Sequence, residues 1–148
     1  MARGDVTIFQ EAMAYLIDGG WEGTDVIKCA ILDNTTTPAA DDTTPALGDY
    51  TEVGTGGTYV AGGTSLGTLA DCVTQTAGTM KFDSATNPSW AQNASNDTDA
   101  YWGLIYNDTD GSDRAIGFVD LDGPVDMSAG ALSITWDSSG IFTIAPSA

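Results

Sequence analysis

The feature that most constrains this chain is Tyr101 to Leu121, YWGLIYNDTDGSDRAIGFVDL. Two apolar runs, Tyr101 to Tyr106 and Ala115 to Leu121, flank a connection made almost entirely of Asn, Asp, Thr, Ser and Gly. Tyr, Trp, Ile, Leu, Phe and Val pack well on a pleated surface, and the connection carries turn-forming residues. The stretch is a hairpin of two central strands. A chain built around such a pair must cover both of its faces. Its 148 residues are enough for one domain with a substantial core.

The rest of the chain is organised around that pair. Asp5 to Asp18 predicts a helix, with Val6, Phe9, Ala12, Met13, Leu16 and Ile17 on one face, Asp5 as N-cap and Gly19-Gly20 as the stop. Thr24 to Leu32 reads as a nearly continuous buried strand, with Lys28 left to snorkel or pair with an aspartate. Asp33 to Asp49, DNTTTPAADDTTPALGD, has no periodicity. A connection this long is uncommon unless it is functional or a flexible arm. Tyr50 to Leu69 carries six glycines and reads as short extended pieces broken by turns. Cys72 to Thr76 and Thr79 to Asp83 form a strand pair turning at Ala77-Gly78. Further short strands fall at Pro88 to Ala91, Leu132 to Trp136 and Ile141 to Ile144, with a turn at Asp122-Gly123-Pro124. The expected fold is mainly β: an antiparallel sandwich or barrel of about eight short strands with one N-terminal α-helix, in a single domain over residues 1–148.

Composition narrows the chemistry. The net charge is −17, and the only basic residues are Arg3, Lys28, Lys81 and Arg114. Nucleic-acid binding needs clustered lysine and arginine, and anionic membranes repel such a surface. Neither partner is expected, and no run approaches the length of a membrane helix. Histidine is absent, which removes Ser-His-Asp and Cys-His catalysis and histidine-based metal sites. No nucleophile motif is present, so the chain reads as non-enzymatic, without a cofactor. Cys29 and Cys72 leave one disulfide or two buried thiols open; the apolar run around Cys29 favours the thiol.

The aspartate-rich hairpin connection raises the question of a cation site. If Gly111 is aligned with the invariant glycine of an EF-hand loop, Asp110 and Asp108 fall on ligand positions. Tyr106 then occupies the first position, and no glutamate follows at the last. The motif fails, and only a looser site of Asp108, Asp110 and Asp113 is left as a weak metal candidate.

Three segments carry a resemblance: FQEAMAYLIDGGWEGTDVIKCAILDNTTTP, YTEVGTGGTYVAGGTSL and WGLIYNDTDGSDRAIGFVDLDGPVDMSAGALSITW. Together they resemble a family of small virion proteins of tailed bacteriophages. The resemblance implies a capsid cement or decoration protein on the outer head surface, assembled in the host cytoplasm. It also implies binding to the major capsid protein of the same virion, as a homo-oligomer of trimer type. It carries no catalytic residues. The contact candidates are Val6, Ile8 and Phe9 of the N-terminal segment and Thr35, Thr36, Thr37, Pro38, Thr43, Thr44 and Pro45 of the long connection. A tail, connector or fibre-associated role in the same kind of particle is the alternative. A calcium- or carbohydrate-binding β-sandwich module is the alternative of another class.

Overall fold

The structure is a computed structural model that describes residues 2–18 and 20–147. Its centre is the expected hairpin: β7 (Ala100–Asn107) pairs antiparallel with β8 (Ala115–Val125). Strand β2 (Val26–Leu32) pairs with the free edge of β7, Cys29 opposite Ile105 and Ile31 opposite Gly103. Strand β1 (Val6–Ile8) adds to β8, and β3 (Thr64–Thr68) adds to β2. The result is an open five-stranded antiparallel sheet in the order β1-β8-β7-β2-β3. Two smaller sheets complete the domain: β10-β5-β4, from β4 (Val73–Thr76), β5 (Thr79–Phe82) and β10 (Phe142–Ile144), and the ribbon of β6 (Ser89–Trp90) with β9 (Leu132–Ser133). With β1 and β3 as open edges, the arrangement is sandwich-like rather than a closed barrel.

Because side chains alternate along a strand, β2 and β7 present two different sets. Cys29 and Gly103 share one face with Val119, and Ile134, just beyond β9, reaches down onto Gly103. Ala30 and Leu104 share the other face with Phe118, whose ring lies 5.2 Å from Phe9 and 5.9 Å from Trp102. Leu104, Ile105, Ala30 and Ile31 are all fully buried. Covering both faces explains why these runs are almost unbroken in their apolar character.

Three expectations are corrected. The N-terminal helix is split. Val6 to Ile8 is strand β1, and α1 is only Ala12–Asp18. Asp5 does not cap it; its carboxylate accepts the Ala2 amide instead, at 2.7 Å. Pairing with β8 gives Val6 to Ile8 a ladder that an isolated helix could not offer, and tertiary context wins over periodicity. The expected stop residue Gly19 lies outside the described residues, while Gly20 has φ +71°. Second, Asp122-Gly123-Pro124 does not turn the chain away. Between the pairs Trp102–Asp120 and Ala100–Val125, β7 advances two residues and β8 five. The excess is bulged out at Asp122, which has φ +55°, and β8 resumes its pairing. Third, Cys72 ends a short helix, α2 (Leu69–Cys72), which is capped by reciprocal bonds between Thr68 and Asp71. The turn at Ala77-Gly78 is as expected, with both residues at positive φ, +50° and +85°.

Candidate partner interface and the aspartate loop

The hairpin connection is held by its own residues. Asn107 is fully buried at the end of β7. Its Oδ1 accepts the amides of Thr109 (3.0 Å) and Asp110 (3.2 Å), and its Nδ2 donates to Asp25 Oδ2 at 2.9 Å. Thr109 Oγ1 accepts the Val26 amide. Asp108 forms an ion pair with Lys28 at 2.8 Å, so Lys28 does find an aspartate. Asp110 accepts from Trp21 Nε1 and from the Ser112 amide, each at 2.9 Å. Asp113 sits at φ +51°, and burial, then the charges of Asp108 and Asp110, raise its carboxyl above the ordinary carboxylate range. Asp108 and Asp110 are thus each engaged with other partners in the fold. Among the described residues no three His, Cys, Asp or Glu side chains converge where a metal ion would sit. Cys29 and Cys72 are free, buried thiols, which settles the choice left open by the sequence.

The two sets of contact candidates are brought together. The connection over residues 33–49 does not leave the domain as an arm. It lies back across the N-terminal segment and the start of β8. The Gln10 amide donates to the Ala40 carbonyl at 2.9 Å. The Ala115 amide donates to the Pro45 carbonyl (2.8 Å), and the Leu47 amide to the Asp113 carbonyl (3.0 Å). Glu11 accepts the Thr44 amide (2.8 Å) and the Tyr15 hydroxyl (2.9 Å). Arg114 completes the clasp. It donates to the Tyr15 hydroxyl at 3.0 Å and to the Thr44 carbonyl at 3.3 Å, and its guanidinium lies 5.0 Å above the Tyr15 ring.

Within this region the candidates divide. Phe9 is buried, stacked 6.3 Å from Tyr50, and Pro38 and Pro45 are buried too. These three support the surface from beneath and cannot touch a partner. Val6 and Ile8 are half-buried on β1. Thr35, Thr36, Thr37, Thr43 and Thr44 are exposed. Thr36 and Thr43, seven positions apart, line one shallow cleft of about 200 Å³ with Asp42, Asp49 and Tyr50. The loop is locally stiffened: Asp33 accepts both the amide and the hydroxyl of Thr35, and Asp42 accepts the Tyr50 hydroxyl at 2.8 Å. At the end of α1, Ile17 is 84% exposed, so the expected apolar stripe of the helix does not reach the core there. What results is a hydroxyl-rich ridge interleaved with the acids Asp41, Asp42 and Asp49, offering hydrogen-bond donors and acceptors to a partner. Glu11, Tyr15 and Arg114, which shape the ridge, were not singled out from the sequence. The only signal was that Arg114 is one of four basic residues.

No protein-family model, curated protein or solved structure matches the chain.

Proposed function

We propose that the protein is a non-enzymatic structural component of a tailed-bacteriophage particle. In this reading it is a cement or decoration protein that binds the outer head surface and ties neighbouring major capsid subunits together. The observation that carries the reading is the pre-assembled ridge. Thr35–Thr37 and Thr43–Thr44 are held out by a loop that is bonded to the N-terminal segment and to β8. A surface fixed before it meets its partner loses little entropy on docking. Short threonine side chains lose less still. Repetition on a lattice turns many weak contacts into firm attachment. The net charge of −17 suits an outward face that keeps particles apart. The resemblance of three long segments to small virion proteins supplies the biological setting.

Two measurements test it. Densitometry of purified particles should give a copy number comparable to that of the major capsid protein, and a cryo-EM map should place the chain on the head. A handful of copies per particle, or density confined to the tail, overturns the cement reading in favour of a tail role.

A further inference from the structure

The strand edges of this fold are not equally protected. Natural proteins shield exposed edges with charge, proline, short length or cover. Strand β1 is three residues long and is preceded by Arg3 and Asp5. On β3 the Leu66 carbonyl is taken by the Ala85 amide at 2.7 Å. Strands β6 and β9 are two residues each, and Pro146 follows β10. Strand β4, one residue longer than β1, carries neither charge nor proline, and among the described residues no main-chain bond covers the open side of Val73 or Gln75. Val73, Thr74, Gln75 and Thr76 are all exposed, and no charge falls between Asp71 and Lys81. In a chain with 21 acidic residues, that is a neutral edge free to pair.

We propose that β4 joins two copies of this chain, pairing antiparallel with β4 of the second copy across a twofold axis. The register follows from the hydrogen bonds already made. The Asp83 amide donates to the Cys72 carbonyl at 2.8 Å, which marks 72–83 as a bonded pair. Alternation along the ladder then makes Thr74–Lys81 and Thr76–Thr79 bonded pairs as well. Val73 and Gln75 are left with both main-chain groups directed at the open edge. One register satisfies all of them: Val73 of each copy opposite Gln75 of the other, with Thr74 meeting its own twin on the axis. The same register keeps faces aligned. Val73 and Gln75 share a side with Met80 and Ile144, and Thr74 shares one with Lys81 and Thr143. The exposed Val73 and Ile144 (36% and 41%) thus belong to one apolar side that runs through a six-stranded sheet. A second copy is the occupant because the edge is self-complementary and lacks charge, so the contact adds no like-charge pair at its centre. This contact is isologous and twofold, unlike the threefold unit implied by the resemblance. It stands independently of where the protein docks on a particle.

The experiment uses the full-length protein. Sedimentation equilibrium should give twice the 15.3 kDa chain mass, with association strengthening as added salt screens the two acidic bodies. Thr74→Lys should yield a folded monomer with an unchanged circular dichroism spectrum and a melting temperature that no longer rises with protein concentration, since Thr74 is exposed and two lysines would meet on the axis. Thr74→Cys should form an interchain disulfide under mild oxidation. Twin residues in a non-bonded antiparallel pair lie about 4.5 Å apart at Cα, within the range a disulfide spans, and the native cysteines are buried. Thr143→Cys, on the opposite edge, should not cross-link. A monomer at millimolar concentration overturns the proposal. So does a dimer that survives Thr74→Lys, or cross-linking through residue 143 instead of 74.

Discussion

Asn107→Asp is the sharpest test of how the hairpin connection is held. The substitution keeps the shape of a side chain that is fully buried. The Thr109 and Asp110 amides can still donate to it. What changes is the other end, where Nδ2 donates to Asp25 across 2.9 Å. A donor becomes an acceptor, and two carboxylates face each other beside a buried strand end. Two unit charges about 4 Å apart at an effective dielectric constant of about 20 repel by about 4 kcal/mol. The lost charge-assisted bond falls in the same range, about 1.5–3 kcal/mol, and is not additive with it. The expected loss is about 4 kcal/mol at neutral pH, a large share of the roughly 5–15 kcal/mol that stabilises a domain. The pH dependence fixes the cause. Repulsion raises the new carboxyl in the folded state above its unfolded value of about 3.9. Below that value the group is protonated in both states and can donate to Asp25 again, so the loss is small. As pH rises, the unfolded chain releases the proton first, and stability falls by about 1.4 kcal/mol per unit until the folded group also ionises, about three units higher. Urea denaturation of both proteins across this window should show a difference growing from near zero at about pH 4 to a plateau near pH 7. Adding Asp25→Asn should restore most of the stability by returning the amide to the pair. A difference below about 1 kcal/mol at neutral pH, or one that does not change with pH, refutes the reasoning.

Two further outcomes follow from the core. Gly103→Ala would put a methyl 2.8 Å from Val119 Cγ1 and 3.0 Å from Ile134 Cδ1, and overpacking of this kind should cost about 1–3 kcal/mol in chemical denaturation. Trimming Ile134 to Val in the same chain should recover part of the loss, and a neutral Gly103→Ala would contradict the packing of Ile134 on the sheet. Burial pushes the Cys29 thiol up to about 12 and the Cys72 thiol up to about 11. Both should resist iodoacetamide in the folded protein at mildly alkaline pH and react fully in denaturant. Because unfolded thiols ionise near 8.5, the unfolded state loses protons first and stability should fall as pH rises from about 8.5 towards 11; rapid labelling of folded Cys29 would refute this.

Which parts of this architecture were legible follows from where the information resides. The β7–β8 pair was legible because each strand is long, rich in β-branched and aromatic residues, and separated by unmistakable turn chemistry. The Ala77-Gly78 hairpin was legible for the same reason. The N-terminus was not. Val6 and Ile8 satisfy a strand alternation, while Val6, Phe9, Ala12 and Met13 satisfy a helical spacing, and only pairing with β8 decides between them. The short α2 had a usable signal in Thr68-x-x-Asp71, which resembles a capping box. For the ridge, the sequence singled out the long threonine-rich connection as a segment but not its path. Its folding back could not be foreseen, since the bonds to Glu11 and Arg114 cross 33 and 70 positions of sequence. Phe9, Pro38 and Pro45 were assigned to contact because they lie in the N-terminal segment and the long connection, and burial turns them into its foundation.

The Arg114 clasp also has a consequence in time. It joins Tyr15, Thr44 and the start of β8, three places that leave the ribosome far apart. The threonine ridge belongs to the first third of the chain, but its fastening arrives only after residue 114. A growing chain therefore cannot display the finished ridge early, and truncated products ending before β8 keep the Gln10–Ala40 and Glu11–Thr44 bonds but lack those from Arg114 and Ala115. The finished surface forms only on molecules that have already paired β7 with β8 at the centre of the sheet.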